Sequence, residues 1–293
     1  MTLELLETVP STSVDTALGP VPTREVGDGP AVLCVHGAFV DSRVFDGVAA
    51  RLRDRARVLL PDLPQGGHRV PVPDRDLLTP TGIADALVRV LDHAGVDRAV
   101  VVGNDNGGAM SQVLAARHPD RVAGLVLAGC EVLEHFPPPA FRPFVQAARH
   151  APSTLTAFGR LLRVAPLLAE PSALDVFSRR GFGATYTREV TAGLLADREV
   201  RDDLAAFVQS LRPDVLLAAS ARLGHLRGRC AVVWPPRDPF FTPRDGRRLA
   251  ALLGCEVEVA EGAGTFVPVD RPDLVAVATR RVLDAAAALA AAG

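Results

Sequence analysis

The chain has 293 residues and 48% of them are apolar, which is enough for one large core or for a core and a cap. Its net charge is −2 and its 32 basic residues are all arginine, so no positive excess points to nucleic acid or to an anionic membrane. The first residues lack the basic and apolar regions of a signal peptide, and the four cysteines are widely spaced. We therefore expect a cytoplasmic protein with free thiols and no membrane span.

Apolar strand-like runs alternate with helical runs over the first 130 residues. The predicted strands cover residues 31–35, 58–60, 99–102 and 122–127, and the predicted helices cover residues 44–52, 80–94 and 107–118. Thr79 and Pro80 are a typical helix start, with a capping residue followed by proline. Strands that alternate with helices predict a parallel sheet covered by helices on both faces.

The alternation stops at Phe136, because the three prolines that follow it cannot continue a helix or a central strand. Residues 140–217 have helical periodicity without a clear strand. Alternation then returns, with strands at 230–234 and 256–259 and helices at 244–253 and from 272 onward. A helical insertion in an α/β sheet predicts a cap over the strand ends, where ligands bind. We expect a core of residues 1–135 and 218–293 and a cap of residues 136–217.

The most informative motif follows the strand at residues 99–102. That strand runs into Gly103-Asn104-Asp105-Asn106-Gly107, and the two glycines permit a tight turn and a close approach of the next helix. Asp105 is thereby expected at the carboxyl edge of the sheet, beside a helix N-terminus that favours negative charge. Taken alone, the pattern is also compatible with an ordinary aspartate that caps a helix.

The chain resembles the α/β-hydrolase superfamily over nearly its whole length. The resemblance rests on landmarks in a fixed order, which are His36-Gly37, Pro61-Asp62-Leu63-Pro64 with Gly66 and His68, the Asp105 turn, Asp238, and Gly264-Thr265-Phe266 with Pro268 and Pro272. An aspartate in this turn is similar to the haloalkane dehalogenases and epoxide hydrolases. The resemblance implies a mostly parallel eight-stranded sheet, helices on both faces and a helical cap.

The resemblance also implies roles for single residues. Asp105 would be a carboxylate nucleophile that forms an alkyl-enzyme ester. The backbone N–H groups of Ala38 and Asn106 would form an oxyanion hole. Asp238 stands where the family places the acid that orients the catalytic histidine, and Glu131 stands at an alternative position for that acid.

Several positions depart from the family pattern. The position of the catalytic histidine holds Thr265, and a threonine hydroxyl cannot activate water as a base. His135, at the entrance to the cap, is a candidate replacement base, although a histidine at a helix entry is commoner. Asn106 replaces the halide-binding tryptophan of dehalogenases. The single tyrosine, Tyr186, replaces the usual pair in epoxide hydrolases, and it either donates to a ligand oxygen or packs within the cap.

A phenylalanine-rich cap without basic clusters favours a small apolar ligand over a phosphate-bearing one. The cap and its margin contain Phe136, Phe141, Phe144, Phe158, Phe177, Phe182 and Phe207. We expect His36, Phe39, Tyr186, Phe136 and Phe266 to contact the ligand, with His36 also holding its own loop. No nucleotide-binding loop and no metal-ligand spacing is present, so we expect no cofactor, and we expect a monomer or a homodimer.

Three functions remain open at this point. The first is a hydrolase of epoxides, halides or esters that uses Asp105 with an atypical triad. The second is a non-hydrolytic isomerase, cyclase or lyase that uses Asp105 as a general acid or base, with bacterial secondary metabolism suggested by fold-level analogy. The third is a protein that binds a hydrophobic ligand without changing it.

Overall fold

The computed structural model describes residues 9–151, 153–163 and 177–292, and eight of its strands form one sheet. The strands are β1 (Ser11–Thr16), β2 (Gly19–Val26), β3 (Ala31–Val35), β4 (Arg57–Pro61), β5 (Ala99–Asp105), β6 (Val122–Cys130), β7 (Cys230–Trp234) and β8 (Val257–Val259). Their order is β1-β2-β4-β3-β5-β6-β7-β8. Strand β2 is antiparallel to β1 and β4, and the other neighbouring pairs are parallel. The predicted fold class is confirmed.

The α-helices of the described residues follow the strands in the predicted alternation. They are α1 (Asp46–Leu52), α2 (Pro80–His93), α3 (Asn106–Arg117), α4 (Arg142–His150), α5 (Ser153–Arg163), α6 (Gly183–Val190), α7 (Ala192–Ala196), α8 (Arg198–Ser210), α9 (Pro213–Ser220), α10 (Pro243–Leu253), α11 (Val267–Asp270) and α12 (Pro272–Ala292). None of these helices combines the length and the apolarity needed to cross a lipid bilayer.

The hairpin β1–β2 extends the sheet beyond the strands that the sequence predicts. Strand β2 contains Pro20 and Pro22, and proline argues against a central strand because it cannot donate to the ladder. The burial of β2 alternates along its first residues, with Val21 buried and both prolines exposed. A half-exposed strand with two prolines therefore lacks the continuous apolar run by which β3 and β5 are recognised.

The central strands place the site. Strands β5 and β6 pair in parallel, so that Asp105 at the end of β5 lies beside Cys130 at the end of β6. Helix α3 begins directly after β5 and packs on both strands, while α12 packs on β6 from elsewhere in the chain. Because the carboxyl ends of parallel strands meet at one edge, the residues that follow β5, β6 and β7 converge there.

The segment that the sequence predicts as a cap lies between β6 and β7. Between these strands the described residues contain helices and no further strand of the sheet. Helices α4, α5 and α8 contact one another, whereas α9 packs on α3 of the core. The predicted end of the cap at residue 217 therefore falls inside a helix that contacts the core. Residues 152 and 164–176 of the predicted cap lie outside the described residues.

Candidate active site

The turn that presents Asp105 has a backbone conformation that side chains rarely adopt. Asp105 has φ 52° and ψ −135° at the junction of β5 and α3, and its side chain makes no capping hydrogen bond to the helix. The surrounding glycines make this junction feasible. A Cβ atom at Gly107 would overlap the backbone of Val35, and one at Gly108 would overlap Cys130. The geometry matches a strained strand-to-helix turn and differs from an ordinary helix cap.

The Asp105 carboxylate lies in the position predicted for an oxyanion hole. The backbone N–H of Ala38 donates to Asp105 Oδ2 across 2.9 Å, and the nearby backbone of Asn106 lowers the pKa of the carboxyl group. A Cβ atom at Gly37 would lie 2.6 Å from the Asp105 Cβ and would overlap the carboxylate. The predicted donor Ala38 therefore binds the side chain of Asp105 itself, and this side chain packs against Gly37.

Asp105 titrates near neutrality. Burial raises the pKa of its carboxyl group from the ordinary 3.8 to about 7, and the neighbouring Asp238 carboxylate raises it further, while the backbone hydrogen bonds act in the opposite direction. Burial prevails because it removes the water that would stabilise the ionised form. At neutral pH both the protonated and the ionised forms of Asp105 are populated.

Thr265 and Asp238, which the sequence predicts at the positions of the family's histidine and its acid, form a direct pair. The Thr265 hydroxyl donates to Asp238 Oδ2 across 2.6 Å. Asp238 Oδ1 accepts from the backbone N–H groups of Phe240 and Phe241, both at 2.8 Å. The Asn104 side chain donates to the Thr265 carbonyl across 2.8 Å and fixes this segment beside β5.

Glu131 is the second carboxyl group at this edge of the sheet. It directly follows β6, its side chain is buried, and its Oε1 accepts from Asn106 Nδ2 across 3.2 Å. Burial and the nearby Asp105 raise the pKa of Glu131 well above its ordinary value. Its carboxyl group is therefore protonated under conditions in which an exposed glutamate is ionised.

The structure does not bring His135 into the cavity next to Asp105. The backbone of His135 closes a turn with the carbonyl of Val132, at 2.9 Å. The turn directs the ring to α10, where Nδ1 lies 3.0 Å from Asp245 Oδ1. Asp245 also forms the capping box of α10 with Thr242. Of the described residues that line the cavity, none is a histidine.

His36 holds the loop that carries the Ala38 donor. Its Nδ1 donates to the Gly37 carbonyl and its Nε2 accepts from the backbone N–H of Leu63, both at 2.8 Å. The ring is fully buried, and burial lowers its pKa, which keeps it neutral. The structure thus places His36 behind the cavity and not in its lining, in keeping with a role in the loop.

Tyr186 lies in a groove separate from the Asp105 cavity. Its hydroxyl accepts from the Asp41 backbone N–H across 3.2 Å and donates to Asp41 Oδ1 across 3.3 Å. The Arg43 guanidinium lies over its ring, 4.5 Å from the centroid. The one tyrosine hydroxyl of the chain is therefore committed to Asp41 and is not directed at a ligand beside Asp105.

The cavity at Asp105 has a polar floor and apolar walls. The floor consists of Ala38, Asp105, Asn106, Glu131 and Thr265. The walls consist of Phe39, Pro137, Pro138, Phe141, Phe158, Leu162, Phe177, Val208, Leu211, Phe240 and Phe266. Rings from core and cap touch, as in the pair Phe39 and Phe158 with centroids 4.9 Å apart. Such a cavity suits an apolar ligand with one polar group.

The structure divides the predicted ligand contacts. Phe39 and Phe266 line the cavity, whereas Phe136 is buried outside the lining. Phe240 is a wall residue that the sequence analysis missed, although it follows Asp238 by two positions and shares its loop. That proximity to a predicted site residue is the signal that could have identified it. Among the described residues, no cluster of histidine, cysteine, aspartate and glutamate is suited to hold a metal ion.

Comparisons with known proteins agree with this architecture. Residues 30–162 match the family model of the α/β hydrolase fold. Haloalkane dehalogenase 2 of Mycobacterium tuberculosis is 26% identical over 284 residues, which cover 90% of this chain and 91% of that protein. An uncharacterised hydrolase of Bacillus subtilis is 23% identical over 256 residues, which cover 83% and 86% of the two chains.

Two solved structures share the fold at low sequence identity. Haloalkane dehalogenase DbeA from Bradyrhizobium elkani superposes with a TM-score of 0.77 at 20% identity, covering 96% of this chain and 99% of that one. A thermophilic esterase from Thermogutta terrifontis superposes with a TM-score of 0.68 at 22% identity, covering 94% and 98%. The chain therefore has the α/β-hydrolase fold, and a haloalkane dehalogenase is among the proteins to which it is similar.

Proposed function

We propose that this protein is an enzyme that transforms a small apolar molecule by proton transfer at Asp105, without hydrolysis. The observation that carries the proposal is the hydrogen bond from Thr265 to Asp238. The sequence resemblance assigns these two positions to the family's base and to the acid that orients it. A threonine hydroxyl that donates to a carboxylate has no means of taking a proton from water. A hydrolytic cycle through an alkyl-enzyme ester would stop at that ester.

The state of Asp105 supports acid–base chemistry. Its pKa of about 7 matches the working pH of a general acid or base, since such groups are most effective when their pKa lies near that pH. The hydrogen bond from Ala38 fixes the orientation of the carboxyl group in the cavity. Asp105 can thus accept or give a proton from one defined place.

The apolar walls define the kind of reaction. The ligand lies between the rings of the core and the cap, where little water accompanies it. Ionised Asp105 removes a proton from a carbon of the substrate, and the protonated carboxyl returns it to a neighbouring atom. The net change is an isomerisation in which no water is consumed and no covalent bond to the enzyme forms.

Covalent attack by Asp105 is the second candidate. The backbone N–H of Ala38 holds the carboxylate in an orientation that also suits attack on carbon, and the similarity to a haloalkane dehalogenase favours such attack. With Thr265 in place of a base, the alkyl-enzyme ester would persist. A persistent adduct is thus the observation that distinguishes this candidate from proton transfer.

A substrate panel in deuterated water tests the proposal. The panel contains small cyclic ketones, epoxides, alkyl halides and activated esters, and Asp105→Asn is the control. Proton transfer predicts deuterium in the recovered or rearranged substrate, no change in the intact mass of the protein, and loss of both effects in the control. Solvent oxygen in the product would contradict the proposal, and a mass adduct that the control lacks would favour covalent attack. Binding without exchange, adduct or product would leave a protein that only holds its ligand.

A further inference from the structure

We propose that Glu131 donates a hydrogen bond from its carboxyl group to the ligand, and that the ligand class of this cavity is an apolar carbonyl compound. This inference rests on the proposed function, because it concerns the same cavity and supplies the group that proton transfer at Asp105 requires. The inference goes beyond the proposed function because it assigns a second residue that acts on the substrate and a substrate class.

The placement of Glu131 follows from the sheet. Asp105 ends β5 and pairs with Cys130 at the end of β6, so that Glu131 is the next residue on the neighbouring strand. Its side chain is 3% exposed and lines the cavity together with Asp105. The two carboxyl groups therefore face the same ligand.

One oxygen of Glu131 lacks a partner. Oε1 accepts from Asn106 Nδ2, whereas the buried Oε2 makes no hydrogen bond within the described residues. A buried polar atom without a partner costs about 1–3 kcal/mol, and a ligand that offers a matching atom recovers that cost. No arginine is among the groups that act on the Glu131 charge, while Asp105 repels it. A protonated carboxyl with Oε2 as the donor is the state that fits these surroundings.

The other donors at the cavity floor are already engaged. The backbone N–H of Ala38 donates to the Asp105 carboxylate, the Thr265 hydroxyl donates to Asp238, and Asn106 Nδ2 donates to Glu131 Oε1. None of them is available to an oxygen of the substrate. Glu131 Oε2 has no partner among the described residues, so its hydrogen can meet a ligand acceptor.

With a carbonyl ligand, Asp105 and Glu131 have complementary roles. Asp105 removes a proton from the carbon next to the carbonyl, negative charge develops on the carbonyl oxygen, and the hydrogen bond from Glu131 stabilises that oxygen. The proton then returns from Asp105 to carbon. The step moves one proton out and one proton back, so it requires no cofactor and no oxidant.

Infrared spectroscopy of a bound ketone tests this hydrogen bond directly. The probe is cyclohexanone labelled with ¹³C at the carbonyl, and methylenecyclohexane is its hydrocarbon counterpart. We expect the carbonyl band of the bound ketone to move to lower frequency in the wild-type protein. Glu131→Gln keeps a donor and should keep the displacement, whereas Glu131→Leu should abolish it and weaken ketone binding by about tenfold.

The hydrocarbon controls for folding. Methylenecyclohexane should bind Glu131→Leu about as well as the wild-type protein, since it needs no donor. An identical carbonyl frequency in wild type and Glu131→Leu would overturn the inference, and so would a wild-type protein that binds only the hydrocarbon.

The frequency of the carbonyl band tests the role of Glu131, and deuterium exchange tests proton transfer at Asp105, so the two proposals can fail independently. Asp105→Asn should keep the carbonyl displacement while it loses exchange. A displacement without exchange in the wild-type protein would contradict the proposed proton transfer and leave the Glu131 hydrogen bond supported. Exchange without a displacement would contradict only the role of Glu131.

Discussion

The Thr265 hydroxyl donates to Asp238 Oδ2 across 2.6 Å, and the other oxygen of Asp238 accepts two backbone N–H groups. The acid is thus satisfied without a histidine. A carboxylate with this many partners is held in one orientation, which fixes the loop after β7. We therefore expect the Thr265–Asp238 pair to keep the shape of a hydrolase site without supporting hydrolysis.

Restoring the histidine should restore water activation. In Thr265→His, the imidazole would lie between Asp238 and the cavity, where it could accept a proton from water. We expect hydrolysis of an alkyl halide or epoxide to rise by about a hundredfold or more above wild type, measured as product formation with oxygen from labelled water. Thr265→Val, which removes the hydroxyl and adds no base, is the matched control and should gain nothing. Hydrolysis at equal rates in wild type and Thr265→His would show that another group already serves as the base.

A methyl group at Gly37 should displace the reacting carboxyl. A Cβ at this position overlaps the Asp105 carboxylate, so the side chain must move away from the Ala38 donor. We expect Gly37→Ala to lower deuterium exchange by about a hundredfold, because misplaced catalytic groups lose roughly that factor. Gly224→Ala is the control, since a Cβ there meets nothing within 4 Å. Unchanged exchange in Gly37→Ala would rule out the observed orientation of Asp105 as the reacting one.

Removing the charge of Asp105 should stabilise the fold, and the gain should depend on pH. The pKa of Asp105 is about 7 in the folded protein against an ordinary value of 3.8, so the folded state binds its proton more tightly than the unfolded state. Stability is therefore lost as pH rises between these two values, and the loss is complete above the higher one. Asn at this position has no such loss, and it also tolerates positive φ.

The size of the gain follows from the two pKa values. About 1.4 kcal/mol for each pH unit between them gives an upper bound of about 4 kcal/mol. Urea unfolding should show Asp105→Asn gaining little at about pH 4 and most of its advantage at about pH 8. Equal differences between wild type and variant at both pH values would mean that Asp105 keeps an ordinary pKa in the folded protein.

The buried pair of Arg24 and Asp46 should contribute strongly to stability. Arg24 Nη2 lies 2.7 Å from Asp46 Oδ1, and both side chains are buried. Arg24→Met leaves the Asp46 carboxyl buried without its cation, which typically costs about 3–5 kcal/mol. Urea unfolding at neutral pH measures the loss. Arg89→Met is the comparison, because Arg89 is 61% exposed in its pair with Asp92 and should change stability by less than about 1 kcal/mol. A small loss in both variants would refute the asymmetry.

The sequence was most informative where the backbone topology alone decides position. Asp105, Glu131 and Asp238 each follow a parallel strand, and the carboxyl ends of such strands meet at one edge of the sheet. The location of the three carboxyl groups could therefore be predicted from the order of apolar runs. The tight turn at Asp105 could also be predicted from its glycines, because few other residues permit that conformation.

Side-chain direction could not be predicted in the same way. His135 and Tyr186 lie near the site in sequence or in the cap, yet Asp245 and Asp41 engage them elsewhere. These partners come from distant parts of the chain, and no local pattern specifies them. The hairpin β1–β2 could not be predicted for a different reason. Its prolines and half-exposed residues give no strong strand pattern.

His135 provides the test that separates a displaced base from no base at all. Its Nδ1 lies 3.0 Å from Asp245 Oδ1 and its ring is absent from the cavity lining. His135→Gln removes the imidazole, which is the candidate base, and leaves the described cavity residues unchanged. We expect deuterium exchange into the substrate to stay within about twofold of wild type, with a loss of stability of about 1–3 kcal/mol because the buried Asp245 loses the neighbouring imidazole. Asp105→Asn, measured in parallel, sets the level of complete loss. Loss of exchange or hydrolysis in His135→Gln would mean that the His135 ring enters the cavity during turnover and acts there as the base.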